Sequence, residues 1–400
     1  MRINIKCSTR DDDVSGSIWT SVIVSLSFTF VFTAYVSIQN LQSSLNQEEG
    51  LGVISLSCLY AFIIVSAILA PTVIKFIGAK LAIIIPWVVH IIYTGTNFYP
   101  TFSTLIPSSV LMGIVSGFLW TSQSIYIATN GAAMSEASGE DLHTVLSKLN
   151  GMFFTMYETT QITGNLISSL VLKQGSYDDI ENTTKVCGSQ DCPLAANATK
   201  IIEPERNIVY ILLGIYLAFD VIGLLLTTFF LSPLPKTEWS QKQTTTNSIT
   251  SCFFVLGDFK LLMLVPLIGF MAMEQAILWT DFTKSFVSCL FGIHKVGFVM
   301  AAYGGSTSVF NLIWSRLARF TGRYFLIAFA SLINMGIFIT LYEWTPDKEY
   351  KLYIIAVSWG MSEGIWQTQS NGSLWTSQAL FLYTNGASLA RTKHQDLHAV

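Results

Sequence analysis

LIPSSVLMGIVSGFLWTSQSIYIA, residues 105–128, runs for 24 residues without a charge. A helix rises 1.5 Å per residue, so about 20 apolar residues cross the roughly 30 Å hydrocarbon core of a bilayer. The stretch therefore reads as a membrane span, and composition says that it is not an isolated one. The chain is 51% hydrophobic and 12% charged, against about one-quarter charged in soluble domains. Working outward from 105–128, comparable blocks occupy 19–38, 53–73, 81–99, 152–172 and 209–231. After a polar linker come 261–289, 296–317, 325–344 and 352–383. The expected fold is all-α, a polytopic transmembrane helix bundle with six-plus-four spans. The expected divisions are a cytoplasmic N-terminus (1–16), a six-helix half (17–231), a cytoplasmic linker (232–260) and an incomplete four-span half (261–371). Residues 1–16 lack the apolar core of a signal peptide.

The phrase GFLWTSQ at 117–123 returns as GSLWTSQ at 372–378. The likeness continues without a gap to Val145 and Val400, with about half of the positions identical. Trp366-Gln-Thr-Gln369 already answers Trp120-Thr-Ser-Gln123 from the corresponding span, and Trp375-Thr-Ser-Gln378 follows nine residues later. Two such equivalents inside one helix do not suit an old fold repeat. Segment 372–400 thus reads as a recent, fused copy of 117–145. A continuous helix over 352–383 would overshoot the hydrocarbon core, so a break is expected near Asn371-Gly372.

Orientation follows from charge. With the N-terminus in the cytoplasm, Lys75, Lys80, Arg316, Arg319 and Arg323 fall inside, in agreement with the positive-inside bias. The long loop 173–207 then lies outside and carries two glycosylation acceptors, Asn182 and Asn197. Cys187 and Cys192, in CGSQDC, are expected to form a disulfide there. A zinc site would need two further ligands that this loop does not offer. No metal or cofactor is expected, no basic cluster suggests nucleic acid, and no nucleophile–base motif suggests an enzyme. The lipid bilayer is the first partner, with the plasma membrane as the expected location and an endomembrane as the alternative.

Several stretches resemble the unc-93 family, its protein A branch most, a divergent branch of the major facilitator superfamily. They are FTAYVSIQNLQSSLNQEEGLGVISLSCLY (32–60), TGNLISSLV (163–171), EQAILWTDFTKSFVSCLFGIH (274–294) and WGMSEGIWQTQSN (359–371). Two turns, FIGAK (76–80) and SRLARFTGR (315–323), look like degenerate superfamily loops at equivalent places of the two halves. The resemblance implies a major-facilitator-like fold, for which the family pattern is six-plus-six spans. It also implies a non-enzymatic role as regulatory partner of a potassium channel or as escort of other membrane proteins. The alternative is a secondary transporter of a small solute, for which coupling to protons is one option.

Acids inside spans are costly and are functional candidates by default. Glu158 has Gln161 and Asn165 on its face, Glu274 neighbours Gln275 and has Asp281 at i+7, the acid expected at a water interface, and Glu363 has Gln367 at i+4. Asp220 is a further one. These carboxyls and amides could couple proton movement to transport, or could bond helices to one another. Both readings remain open at this level. His394 and His398 lack a third ligand for a metal, and AAYGGSTS (301–308) lacks the Gly-Lys-Ser/Thr ending of a phosphate loop.

Overall fold

The computed structural model describes residues 10–174, 187–189, 204–234, 265–344 and 348–368. Ten long helices account for most of these, and there is no strand among the described residues. They are α1 (Arg10–Leu45), α2 (Leu51–Ile77), α3 (Leu81–Thr96), α4 (Phe102–Ser138), α5 (Leu142–Leu172) and α6 (Arg206–Phe230). The second group opens with α7, which starts as Val265–Ile277, widens into a π-helical stretch, Leu278–Ser288, and closes with Cys289–Phe291. It continues with α8 (Val296–Thr321), α9 (Arg323–Glu343) and α10 (349–368). All ten lie where the apolar blocks predict spans, and six among the described residues are long and apolar enough to cross a bilayer on length and composition alone.

The two predicted turns prove equivalent in backbone geometry. α2 ends at Gly78 with φ 83° and ψ 154°, and α8 ends at Gly322 with φ 78° and ψ 157°. Both angles fall where a side chain is disfavoured, so glycine stops each helix and turns the chain into the next.

Helices meet through small residues, as expected where apolar burial gives no preference for helix over lipid. At the α2–α4 crossing Ser66 Oγ donates to Gly113 O (2.9 Å) and accepts from Gly117 N (3.0 Å). α1 is the central helix, packed against α5, α6 and the π-helical part of α7. Its buried face is unusually polar, with Ser17, Ser21, Ser25, Thr33, Ser37 and Asn40 all under 10% exposed. The hydroxyls are satisfied largely by carbonyls one turn back, such as Ser25 Oγ to Ser21 O (2.8 Å). Asp220 is also accounted for here: on α6, fully buried, it accepts from Thr94 Oγ1 of α3 (2.6 Å).

The expected Cys187–Cys192 disulfide is not formed. Cys187 is bonded instead to Cys289 of α7, 102 residues away, with a Cα–Cα separation of 5.8 Å. The reason is the docking of 187–189 on the second helix group. Gly188 N donates to Ser285 O (2.9 Å) and Ser189 Oγ to Tyr342 O (3.0 Å), which brings Cys187 within bonding range of α7. Cys192, Asn182, Asn197, most of the linker and segment 372–400 with its expected break lie outside the described residues.

Candidate functional site

Three of the predicted acids converge from three helices. Glu158 of α5, Glu274 of α7 and Glu363 of α10 are 8%, 1% and 5% exposed. Glu158 lies within electrostatic reach of Glu363 and beside Gln367, and Glu274 is within reach of Glu363. Charge in such a place must be met by hydrogen bonds, and a network supplies them. Asn334 Nδ2 of α9 donates to Glu274 Oε2 (2.7 Å), and Ser362 Oγ of α10 donates to Asn334 Oδ1 (2.6 Å). One residue on, Glu363 Oε1 accepts from Gln367 Nε2 (3.2 Å), whose Oε1 accepts from Asn311 Nδ2 of α8 (2.9 Å). Gln275 Nε2 donates to Tyr303 OH (3.0 Å) and lies beside Glu363. One oxygen of Glu274 and one of Glu363 are buried without a well-formed hydrogen bond. The ion pairs recorded among the described residues, Lys148–Glu140 and Lys295–Glu349, involve none of the three acids. The site is thus an uncompensated carboxyl cluster held by amides and hydroxyls. It binds four helices of the second group to one another and meets α5 of the first.

Other predicted residues go elsewhere. Asn165 ties α1 to α5, accepting from Asn40 Nδ2 (2.9 Å) and donating to Gln161 O (2.6 Å). Gln161 lines a neighbouring aromatic cavity. Asp281, the acid expected at a water interface, lies within the π-helical stretch and is exposed, whereas Glu274 is buried. The wider π turn shifts the register that an i, i+7 pair would keep in an α-helix. Reading for acids alone missed Asn311, Asn334, Tyr303 and Ser362. The available signal was a lone amide inside an apolar helix, as in SLINMGIF around Asn334.

A family model described as "Ion channel regulatory protein UNC-93" matches residues 45–376. Protein unc-93 homolog A of Xenopus laevis is 36% identical over 364 residues, covering 88% of this chain and 79% of that one. The human protein of the same name is 32% identical over 361 residues, with 88% and 79% covered. The "Putative potassium channel regulatory protein unc-93" of Caenorhabditis elegans is 32% identical over 379 residues, 90% of this chain and 52% of that one. Among solved structures, the nucleoside transporter NupG superposes with a TM-score of 0.61 at 14% identity, covering 89% of this chain and 82% of that chain. A partially occluded inward-open form of the xylose transporter XylE from E. coli gives 0.57 at 11%, covering 93% and 88%. At such identities these likenesses establish the major-facilitator fold and nothing about a ligand.

Proposed function

The chain belongs to the UNC-93 family, and from that premise we propose that it is a non-enzymatic membrane protein that regulates a potassium channel. The observation that carries this reading is the family match over 45–376, which spans the whole carboxyl cluster. The geometry agrees with it, because Glu274, Asn334 and Ser362 serve as bonds between helices. In this reading the protein comprises two halves, 17–231 and 261–371, and resides in the plasma membrane. Its N-terminus faces the cytoplasm, and Asn182 and Asn197 face outside. The Cys187–Cys289 disulfide supports that orientation, since disulfides persist in oxidising compartments.

Co-expression with a potassium channel should change its current without solute flux through this protein. Glu274→Gln should leave the regulation largely intact, because the amide oxygen still accepts from Asn334. The second reading, proton-coupled transport of a small solute, draws on the convergence of Glu158, Glu274 and Glu363 inside a transporter fold. A proton-coupled substrate current abolished by Glu158→Gln or Glu274→Gln would establish that reading against ours.

A further inference from the structure

Beside the carboxyl cluster, between α1, α2, α4, α5 and α7, lies a cavity of about 190 Å³. Phe32, Tyr35, Tyr60, Trp120, Tyr157 and Trp279 contribute aromatic rings to its wall. Phe32, Trp120 and Tyr157 make a mutually packed corner, with ring centroids 5.1, 5.3 and 5.4 Å apart. Opposite in sequence but joined in space, Tyr60 and Trp279 stack at 6.1 Å across the two helix groups.

The chemistry of the wall selects the occupant. Among the described residues no Lys or Arg lines it, and His90 of α3, which does, is packed among the rings of Phe32, Tyr35 and Trp87, so an anion would find no permanent counter-charge and would meet the carboxyls next door. A polyhydroxylated molecule would need many free hydrogen-bonding groups, and several of those present are already engaged. Gln39 Nε2 donates to Tyr60 OH (2.7 Å), Ser116 Oγ to Met112 O (2.7 Å), and Gln161 Oε1 accepts from Asn165 Nδ2 (3.3 Å). What the wall offers instead is a group of aromatic rings, whose π-systems carry partial negative charge, with Glu158 adjacent to Tyr157 and one turn from Gln161. Rings in that arrangement attract a cation, most strongly where water is excluded. The indole N–H of Trp279 is buried without a hydrogen bond to the protein. We propose that this cavity binds a small organic cation, an alkylammonium ion with apolar flanks. At about 30 Å³ per water the space equals roughly six waters, which suits a compact ion of comparable size.

Binding is independent of whether the protein regulates a channel, so it is tested on the purified full-length chain with no channel present. Intrinsic tryptophan fluorescence and calorimetry would be followed during titration with choline, with tetramethylammonium, and with 3,3-dimethylbutan-1-ol, the uncharged isostere of choline. The ammonium ions should give a saturable response, and the uncharged isostere should bind at least about tenfold more weakly. Trp279→Leu should weaken choline binding by about tenfold, whereas Trp279→Phe, which keeps a ring, should lose far less and guards against misfolding. Equal binding of the uncharged isostere, or no saturable response to either ammonium ion by the folded protein, overturns the proposal. So does a Trp279→Leu variant that binds like wild type.

Discussion

Glu274 is held by a donor 60 residues away, Asn334, which is itself held by Ser362. A glutamine at 274 keeps the acceptor, whereas a leucine leaves Asn334 Nδ2 buried with nothing to donate to. Thermal unfolding of the solubilised protein should therefore find Glu274→Gln near wild type and Glu274→Leu about 1–2 kcal/mol less stable. Glu274→Leu combined with Asn334→Leu should recover part of that loss, because both unmet groups are then gone. The acids were legible in the sequence because charge in hydrocarbon is rare and demands a reason. Their partners were not. A single amide in an apolar helix is unremarkable until another helix places a carboxyl against it, and Asp220 shows the converse. It is an acid inside a span like Glu158, yet it lies apart from the cluster, bonding Thr94 across α3 and α6 with its second oxygen left without a hydrogen bond.

The positions of the helices were set by hydropathy, and their ends were not. The apolar block 105–128 belongs to a helix that runs from Phe102 to Ser138, straight through Asn130-Gly131, and stops only at Gly139 with φ 77°. The π-helical stretch of α7 left no trace in periodicity, since one wide turn changes the register without changing composition. Close crossings are better tested than read. A Cβ at Gly117 would collide with Ser66 and the backbone of Ala67, while one at Gly214 on α6 would meet nothing within 4 Å. Gly117→Ala should therefore cost about 1–3 kcal/mol and lower the yield of monodisperse protein. Gly214→Ala should be neutral or slightly stabilising, since alanine is the better helix former. Equal behaviour of the two variants in thermal melts would refute the α2–α4 crossing as drawn.

The two helix groups are tied most visibly at one end of the bundle. Ser44 and Ser288 share a hydrogen bond (2.9 Å), Ser169 Oγ donates to His294 O (2.6 Å), and Cys187 is bonded to Cys289. Hydropathy foretold a two-group bundle, but the choice of tied end depends on contacts between residues more than a hundred positions apart. A protease site inserted within 235–260 tests the covalent tie. The two fragments should stay joined on a denaturing gel until reductant is added, and Cys289→Ser should separate them without it. Fragments that part without reductant, with Cys187 recovered in one peptide with Cys192, would restore the local pairing. Endoglycosidase digestion should shift the N-terminal fragment alone, and Asn182→Gln with Asn197→Gln should abolish the shift.

The bond between the groups also sets an order of events during synthesis. Cys187 leaves the ribosome 102 residues ahead of Cys289, while Cys192 follows it after only five. Until Cys289 is made, Cys192 is the nearer thiol along the chain with which Cys187 could be oxidised. Were such a bond present, the Cys289 thiolate would attack the Cys187 sulfur and Cys192 would leave as the thiolate, a step that must await synthesis of α7. A chain stalled after six helices would thus display a different thiol state from a finished one. An oxidoreductase surveying that loop could then tell an unfinished molecule from a complete one before it leaves the compartment in which it was made.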